Sequence, residues 1–250
     1  MSTKKALASF IIASSITSAN AVEIAGDSWK GIAELGAVVT YGNTETQSLN
    51  GRLGVTNERD KWRHNVQLET LKATSKDIND SDTTTAERYL VSGKSDYKFN
   101  KSGYGFGTVQ YENDRFSGFD YRVTEAIGYG QRFIEKKTLL LDLELGPGAR
   151  QSQPKGVDTN GNNLDSDSEF IVRAAGKLEW KLTDTTVFSE ELTSDFGEQT
   201  TLTKSVTALA AQIVGNLAMK ISLTLKLNSD PPEGVQKDDA ESALTLVYNF

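Results

Sequence analysis

The C-terminal stretch Ala243-Leu244-Thr245-Leu246-Val247-Tyr248-Asn249-Phe250 alternates in character. Leu244, Leu246, Tyr248 and Phe250 fall on one face of an extended chain, and Ala243, Thr245, Val247 and Asn249 on the other. A side-chain period of two is the mark of a β-strand. One face here is large and apolar, while the other is smaller and more polar. Many soluble strands alternate in this way, so the reading depends on whether the rest of the chain agrees.

It does agree. Residues 29–41 place Trp29, Ala33, Leu35, Ala37, Val39 and Tyr41 on one side. In 61–72, Trp62, Val66 and Leu68 oppose Arg63, Asn65, Gln67 and Glu69. In 121–133, Tyr121, Val123, Ile127, Tyr129 and Phe133 oppose Arg122, Thr124 and Arg132. Leu139 to Leu145 oppose Asp142 and Glu144, and the same alternation fills 170–182 and 217–227. Apolar residues at i and i+2 scatter around a helical wheel, so these segments make poor amphipathic helices. About twelve strands are expected, over 28–41, 46–58, 61–73, 86–99, 102–113, 121–134, 138–151, 168–182, 185–194, 201–214, 217–228 and 239–250.

The connections carry more information than the strands. Those after every even-numbered segment are tight: Arg59-Asp60, Asn100-Lys101, Glu135-Lys136-Lys137, Thr183-Asp184 and Gly215-Asn216. Those after the odd-numbered segments are longer and polar, except Gly42-Asn43-Thr44-Glu45. Short turns alternating with long loops, an even strand number and termini on the short-turn side describe an outer-membrane barrel. The expected fold is therefore an all-β, closed, antiparallel, up-and-down transmembrane β-barrel, and a soluble β-sandwich is the alternative. In such barrels a terminal aromatic caps the closing strand, so Tyr248 and Phe250 are the expected signal for the barrel-assembly machinery. Outer-membrane lipid and lipopolysaccharide are the expected surroundings.

The N-terminus fits export from a Gram-negative cytoplasm. Lys4 and Lys5 precede an apolar run, Ala6 to Ile16, too short to span a membrane as a helix. Ala19-Asn20-Ala21 offers small residues at the positions a signal peptidase reads, so residues 1–21 are expected to be a cleaved signal peptide and 22–250 a single barrel domain. The chain has no cysteine, so an exported form relies on packing and hydrogen bonds alone. Hydrophobic content of 37% is low for a helical membrane protein and ordinary for a barrel, which shows lipid only every second residue. A formal net charge of −7 argues against a nucleic-acid partner.

In this topology Trp29, Trp62 and Trp180 all fall at the short-turn end, as one aromatic girdle, joined by Tyr97, Phe99, Tyr104, Phe133 and Phe250. Tyr41, Tyr89, Tyr111, Phe116, Tyr121 and Phe170 form the other.

The search for catalytic and cofactor chemistry yields little. His64, the only histidine, shares parity with Trp62 and Val66 and points to lipid. No serine on its face is close in sequence, so no hydrolase triad is assigned. There is no zinc cluster and no phosphate-binding glycine loop. Asp158, Asn160, Asn162 and Glu169 match positions of a calcium loop, but Asn163 stands where the sharp turn requires glycine. No catalytic residue, cofactor or metal site is therefore assigned.

The inward rows carry the charge. Arg52, Glu69, Arg88 and Lys94 are expected to line the lumen from the first half of the chain. Arg122, Arg132, Asp142, Glu144 and Arg150 follow on the sixth and seventh strands, then Arg173, Lys177 and Glu179 on the eighth. Two outcomes remain open: a path for small solutes or ions, or a salt-bridged interior that fills a structural barrel. A barrel enzyme is a distant third.

Trp29-Lys30-Gly31, Thr40 to Thr44, Glu58 to Trp62, Ala86-Glu87-Arg88-Tyr89, Tyr111 to Arg122, Gly146-Pro147-Gly148 and Asn228-Ser229-Asp230 resemble the salt-induced outer-membrane protein family, an uncharacterised barrel group. The similarity runs over about residues 27–250, and Glu112 to Arg122 is its most specific part. The resemblance implies an outer-membrane barrel and expression linked to salt. It implies no activity, ligand or catalytic residue.

Overall fold

A computed structural model describes residues 28–250 apart from 41–44, 77–81, 158–160, 162 and 233. The expected signal peptide and Tyr41 lie outside the described residues. The strands are β1 (Ser28–Thr40), β2 (Glu45–Glu58), β3 (Trp62–Lys76), β4 (Asp82–Lys98), β5 (Gly103–Asp114) and β6 (Phe119–Lys136). They continue with β7 (Leu139–Pro154), β8 (Asp167–Lys181), β9 (Thr186–Gly197), β10 (Thr201–Val214), β11 (Leu217–Asn228) and β12 (Asp238–Asn249). Each pairs antiparallel with its sequence neighbours, and β1 pairs with β12 to close the barrel.

Two outer connections are shorter than the sequence suggests. The β5–β6 connection is residues 115–118, and the β9–β10 connection is residues 198–200. Polar residues read as loop, such as Asp195 and Asp114, continue the hydrogen-bonded ladder past the apolar band. Likewise β4 starts at Asp82, carried past a bulge opposite Ala73/Thr74 of β3.

The parity read from the sequence holds around the wall. Leu35, Ile127, Leu145, Ile221 and Leu246 are all exposed on the outside. In water so continuous an apolar surface is a liability; against lipid it is the buried face. Trp29, Trp62 and Trp180 lie outward at the short-turn end. There Trp62 meets Tyr97 edge-on at 5.0 Å, Tyr97 meets Phe99 at 5.6 Å, and Phe99 stacks on Tyr129 at 6.4 Å. At the other end Tyr111 stacks on Tyr121 at 6.1 Å. Tyr104 does not belong to the girdle. Its parity is inward, where it is buried with Phe106 and Ala126. Gly130 makes this possible: a Cβ there would strike the Tyr104 ring.

The seam is the shortest part of the ladder, with register pairs only from Ile32↔Asn249 to Gly36↔Thr245. Two further bonds extend it, Gly31 N to Phe250 O at 2.5 Å and Phe250 N to Gly31 O at 2.9 Å. The Phe250 ring lies where a Cβ on Gly31 would be. Phe250 therefore holds the finished barrel closed, in addition to any role in assembly.

This geometry predicts that Gly31→Val forces the ring off the seam and costs about 1–3 kcal/mol, as overpacking does. The readout is the temperature at which the unboiled protein loses its fast migration in detergent gels. The penalty should disappear in a Phe250→Ala background; an equal penalty in both backgrounds would sink the seam assignment.

Candidate functional site: the charged lumen

Because side chains alternate, the residues opposite the apolar rows line the interior. Arg52 of β2 stands between Glu34 of β1, at 3.5 Å, and Glu69 of β3, at 3.8 Å. At the short-turn end Arg63 binds Asp96 at 2.6 Å, and Arg132 makes a fork with Asp142 at 2.8 and 3.0 Å. Lys94 reaches Asp96 at 3.0 Å and Glu144 at 2.5 Å, and the Tyr104 hydroxyl donates to Glu144 at 2.7 Å. At the far end Arg150 binds Glu169 and Arg173 forks onto Asp195 at 2.7 and 2.8 Å. All twelve lumen residues assigned from sequence lie on the inner parity of the observed register.

Several pairs reach across the lumen, which the sequence could not show. Arg88 of β4 forks onto Glu241 of β12 at 2.5 and 3.1 Å, with β1, β2 and β3 between those strands. Lys226 of β11 joins Glu241 at 3.1 Å and approaches Asp114, on the diametrically opposite β5, at 3.9 Å. Glu69 of β3 meets Lys204 of β10 at 3.8 Å, and Lys220 of β11 binds Glu34. Glu34, Lys204 and Glu241 were missed as lumen residues. Their parity marks them, Glu34 against Leu35 and Glu241 against Leu244, but no spacing rule reveals contacts between distant strands.

Packing differs along and around the lumen. Arg150 and Glu169 have side-chain exposures of only 1% and 9%. Lys177, Glu179 and Glu191 also point inward, yet remain 50%, 42% and 44% exposed, so water reaches them. A packed, dry sector at the far end thus continues into a wet one lower on β8 and β9.

A loop crosses the far mouth. The β5–β6 turn is held from within and by β4: Asp114 Oδ1 accepts from Phe116 N at 2.9 Å, and Arg115 binds Glu87 of β4 at 3.1 Å. Gly118, at φ +80°, leaves no room for a side chain, because a Cβ there would lie 2.9 Å from Pro232 Cγ and 3.3 Å from Val235 Cγ2. The β11–β12 connection therefore rests on the turn opposite.

Other candidates resolve differently. The structure places Ser95 of β4 opposite His64, and His64 Nδ1 and Ser95 Oγ are 2.8 Å apart. Sequence proximity could not reveal this serine. The imidazole stacks on Trp62 at 5.6 Å, on the outer wall beside a groove of about 850 Å³. Among the described residues no carboxylate bonds the ring, and the pair reads as a satisfied interfacial contact. Glu169 lies in β8 with its carboxylate on Arg150 and on Gln199 N, so it is committed away from a calcium loop. Asp158, Asn160 and Asn162 lie outside the described residues.

The family model described as "Protein of unknown function, DUF481" matches residues 33–250. The chain belongs to that family. The resemblance read from Trp29-Lys30-Gly31 onward therefore holds. The uncharacterised protein YdiY of Escherichia coli (strain K12) is 27% identical over 223 residues, covering 89% of this chain and 83% of that one. Among solved structures, the NanC porin is 12% identical with a TM-score of 0.50, covering 88% of this chain and 98% of its own. An outer membrane channel from Pseudomonas putida F1 is 13% identical with a TM-score of 0.49, covering 89% and 95%. The NanC likeness concerns the fold, that of an outer-membrane barrel.

The dry and wet sectors predict different mutational costs. Asp195→Ala strands buried Arg173 and should cost about 3–5 kcal/mol. Glu191→Ala leaves Lys177 with Glu179 and water, and should cost under about 1 kcal/mol. Urea unfolding in detergent measures both; equal costs would contradict the division of the lumen.

Proposed function

We propose that this protein is a narrow passive conduit for small solutes or ions across the outer membrane, closed at rest by side chains and a loop that span its lumen. The Arg88–Glu241 pair carries the reading, because it joins distant parts of the wall through charges that have no stronger local partner. A barrel of about twelve strands is wider than side chains alone need to fill and narrower than a general porin. Half-exposed inward charges at Lys177, Glu179 and Glu191 support water inside. Outer-membrane lipid and lipopolysaccharide would surround the wall, with the barrel-assembly machinery reading Tyr248 and Phe250 during insertion.

The second reading is a non-conducting structural barrel, favoured by the dryness of Arg150 and Arg173. Planar-bilayer recording separates the two. Glu241→Gln should weaken the cross-lumen bar and raise the open fraction over wild type. No conductance from wild type or Glu241→Gln, with no solute uptake into liposomes, would leave the structural barrel.

A further inference from the structure

The inner face of β6–β7 at the far end holds a compact block of side chains. The register puts Arg122 opposite Ser152 and Thr124 opposite Arg150. Arg122 and Arg150 are therefore diagonal neighbours, about 7 Å apart at their bases.

The hydrogen bonding of both arginines is incomplete in a particular way. Arg150 is 1% exposed. Its Nε and Nη2 both donate to Glu169 Oε1, at 2.8 and 2.6 Å, and Nη2 also donates to Thr200 O at 2.5 Å. Its Nη1 is buried without any hydrogen-bond partner. A guanidinium is planar, so with its Nε–Nη2 edge on Glu169 of β8 and the β9–β10 turn, Nη1 leaves from the opposite edge and stays unpaired. Arg122 makes no ion pair among the described residues. It donates from Nε to Ser152 Oγ at 3.3 Å and lies 4.5 Å over the Phe119 ring. Glu112 stands directly across β5–β6 from Arg122, yet Arg122 turns away from it toward β7.

We propose that Arg122, Arg150 Nη1 and the Ser152 hydroxyl form a binding site for a small oxyanion, the carboxylate or phosphate group of a solute. Buried cationic donors seek acceptors, and an oxyanion supplies several at the spacing of a guanidinium fork. The aromatic ring under Arg122 holds its plane, which favours bidentate contact over a point charge. The inference rests on the conduit reading and names the solute class: anionic, despite a chain whose formal net charge is −7. Glu112 repels such a group from the β5 side and limits how tightly it is held.

The test is calorimetric titration of the full folded barrel in detergent with inorganic phosphate, at constant ionic strength against chloride. Wild type should bind saturably. Arg122→Gln should weaken binding about tenfold or more, the scale of one charge-assisted contact, and Ser152→Ala by less. Glu112→Gln should tighten binding, because a like charge is removed; that direction distinguishes a site from a general loss of structure. Lys181→Gln, at the opposite end, should bind as wild type does. Absence of saturable binding by wild type, or unchanged binding by Arg122→Gln, overturns the site. Binding needs no conduction, so a silent bilayer with intact phosphate binding removes the conduit and leaves the site, and conductance without binding does the reverse.

Discussion

Lipid offers no hydrogen bonds, so every backbone N–H and C=O that crosses it must be satisfied within the chain. A sheet meets this demand only by closing, and here closure rests on the short β1–β12 ladder. The Gly31–Phe250 bonds lengthen that seam by one step. Closure then dictates the rest. With a period of two and an apolar outside, every second residue is driven inward. The lumen therefore receives the polar half of the chain whether or not a polar lumen is useful.

Charges sent inward must be paired, and the pairs here do two kinds of work. Between adjacent strands, as at Arg132–Asp142 and Arg173–Asp195, they neutralise the wall. Between distant strands, as at Arg88–Glu241 and Glu69–Lys204, they brace it and fill the bore. The same contacts that stabilise the cylinder thus narrow it, and any passage of solute has to loosen them. Arg122 stands outside this scheme: among the described residues neither it nor Glu112, directly across from it, makes an ion pair, which is why it marks a site rather than a strut.

The architecture was legible because parity is a local property. Strand β11 could be read from Leu217 to Leu227 without any neighbour, and the inward assignment of Lys220 and Lys226 follows from it. Tyr104 shows the limit: an aromatic near a strand end suggests a girdle, but its parity matches Phe106, and Gly130 across the ladder makes room for it inside. The cross-lumen contacts and the His64–Ser95 pair were not legible. They depend on the curvature of the closed wall or on the register of another strand, and neither is encoded in spacing along one segment.

Register itself raises a question that the apolar face cannot answer. A one-residue slip would turn lipid-facing side chains inward and is strongly opposed. A two-residue slip preserves the faces, and fluid lipid packs equally well against either arrangement. The inner charges discriminate. Arg52 is directly opposite both Glu34 and Glu69, Arg150 opposite Glu169, Arg173 opposite Asp195, and Lys177 opposite both Asp142 and Glu191. Moving β9 by two residues along β8 would set Arg173 against Thr193 or Gly197 and abandon a buried cation. On the outer face of β9–β10 hydroxyl pairs do the same: Glu190 accepts from Ser205 at 2.6 Å and Thr207 at 2.5 Å, and Ser194 meets Thr203 at 2.8 Å. Apolar alternation thus decides which side of each strand faces lipid, while polar pairing decides how far each strand has slid, and a barrel whose inner apolar packing centres on Tyr104, Phe106 and Ala126 depends on both.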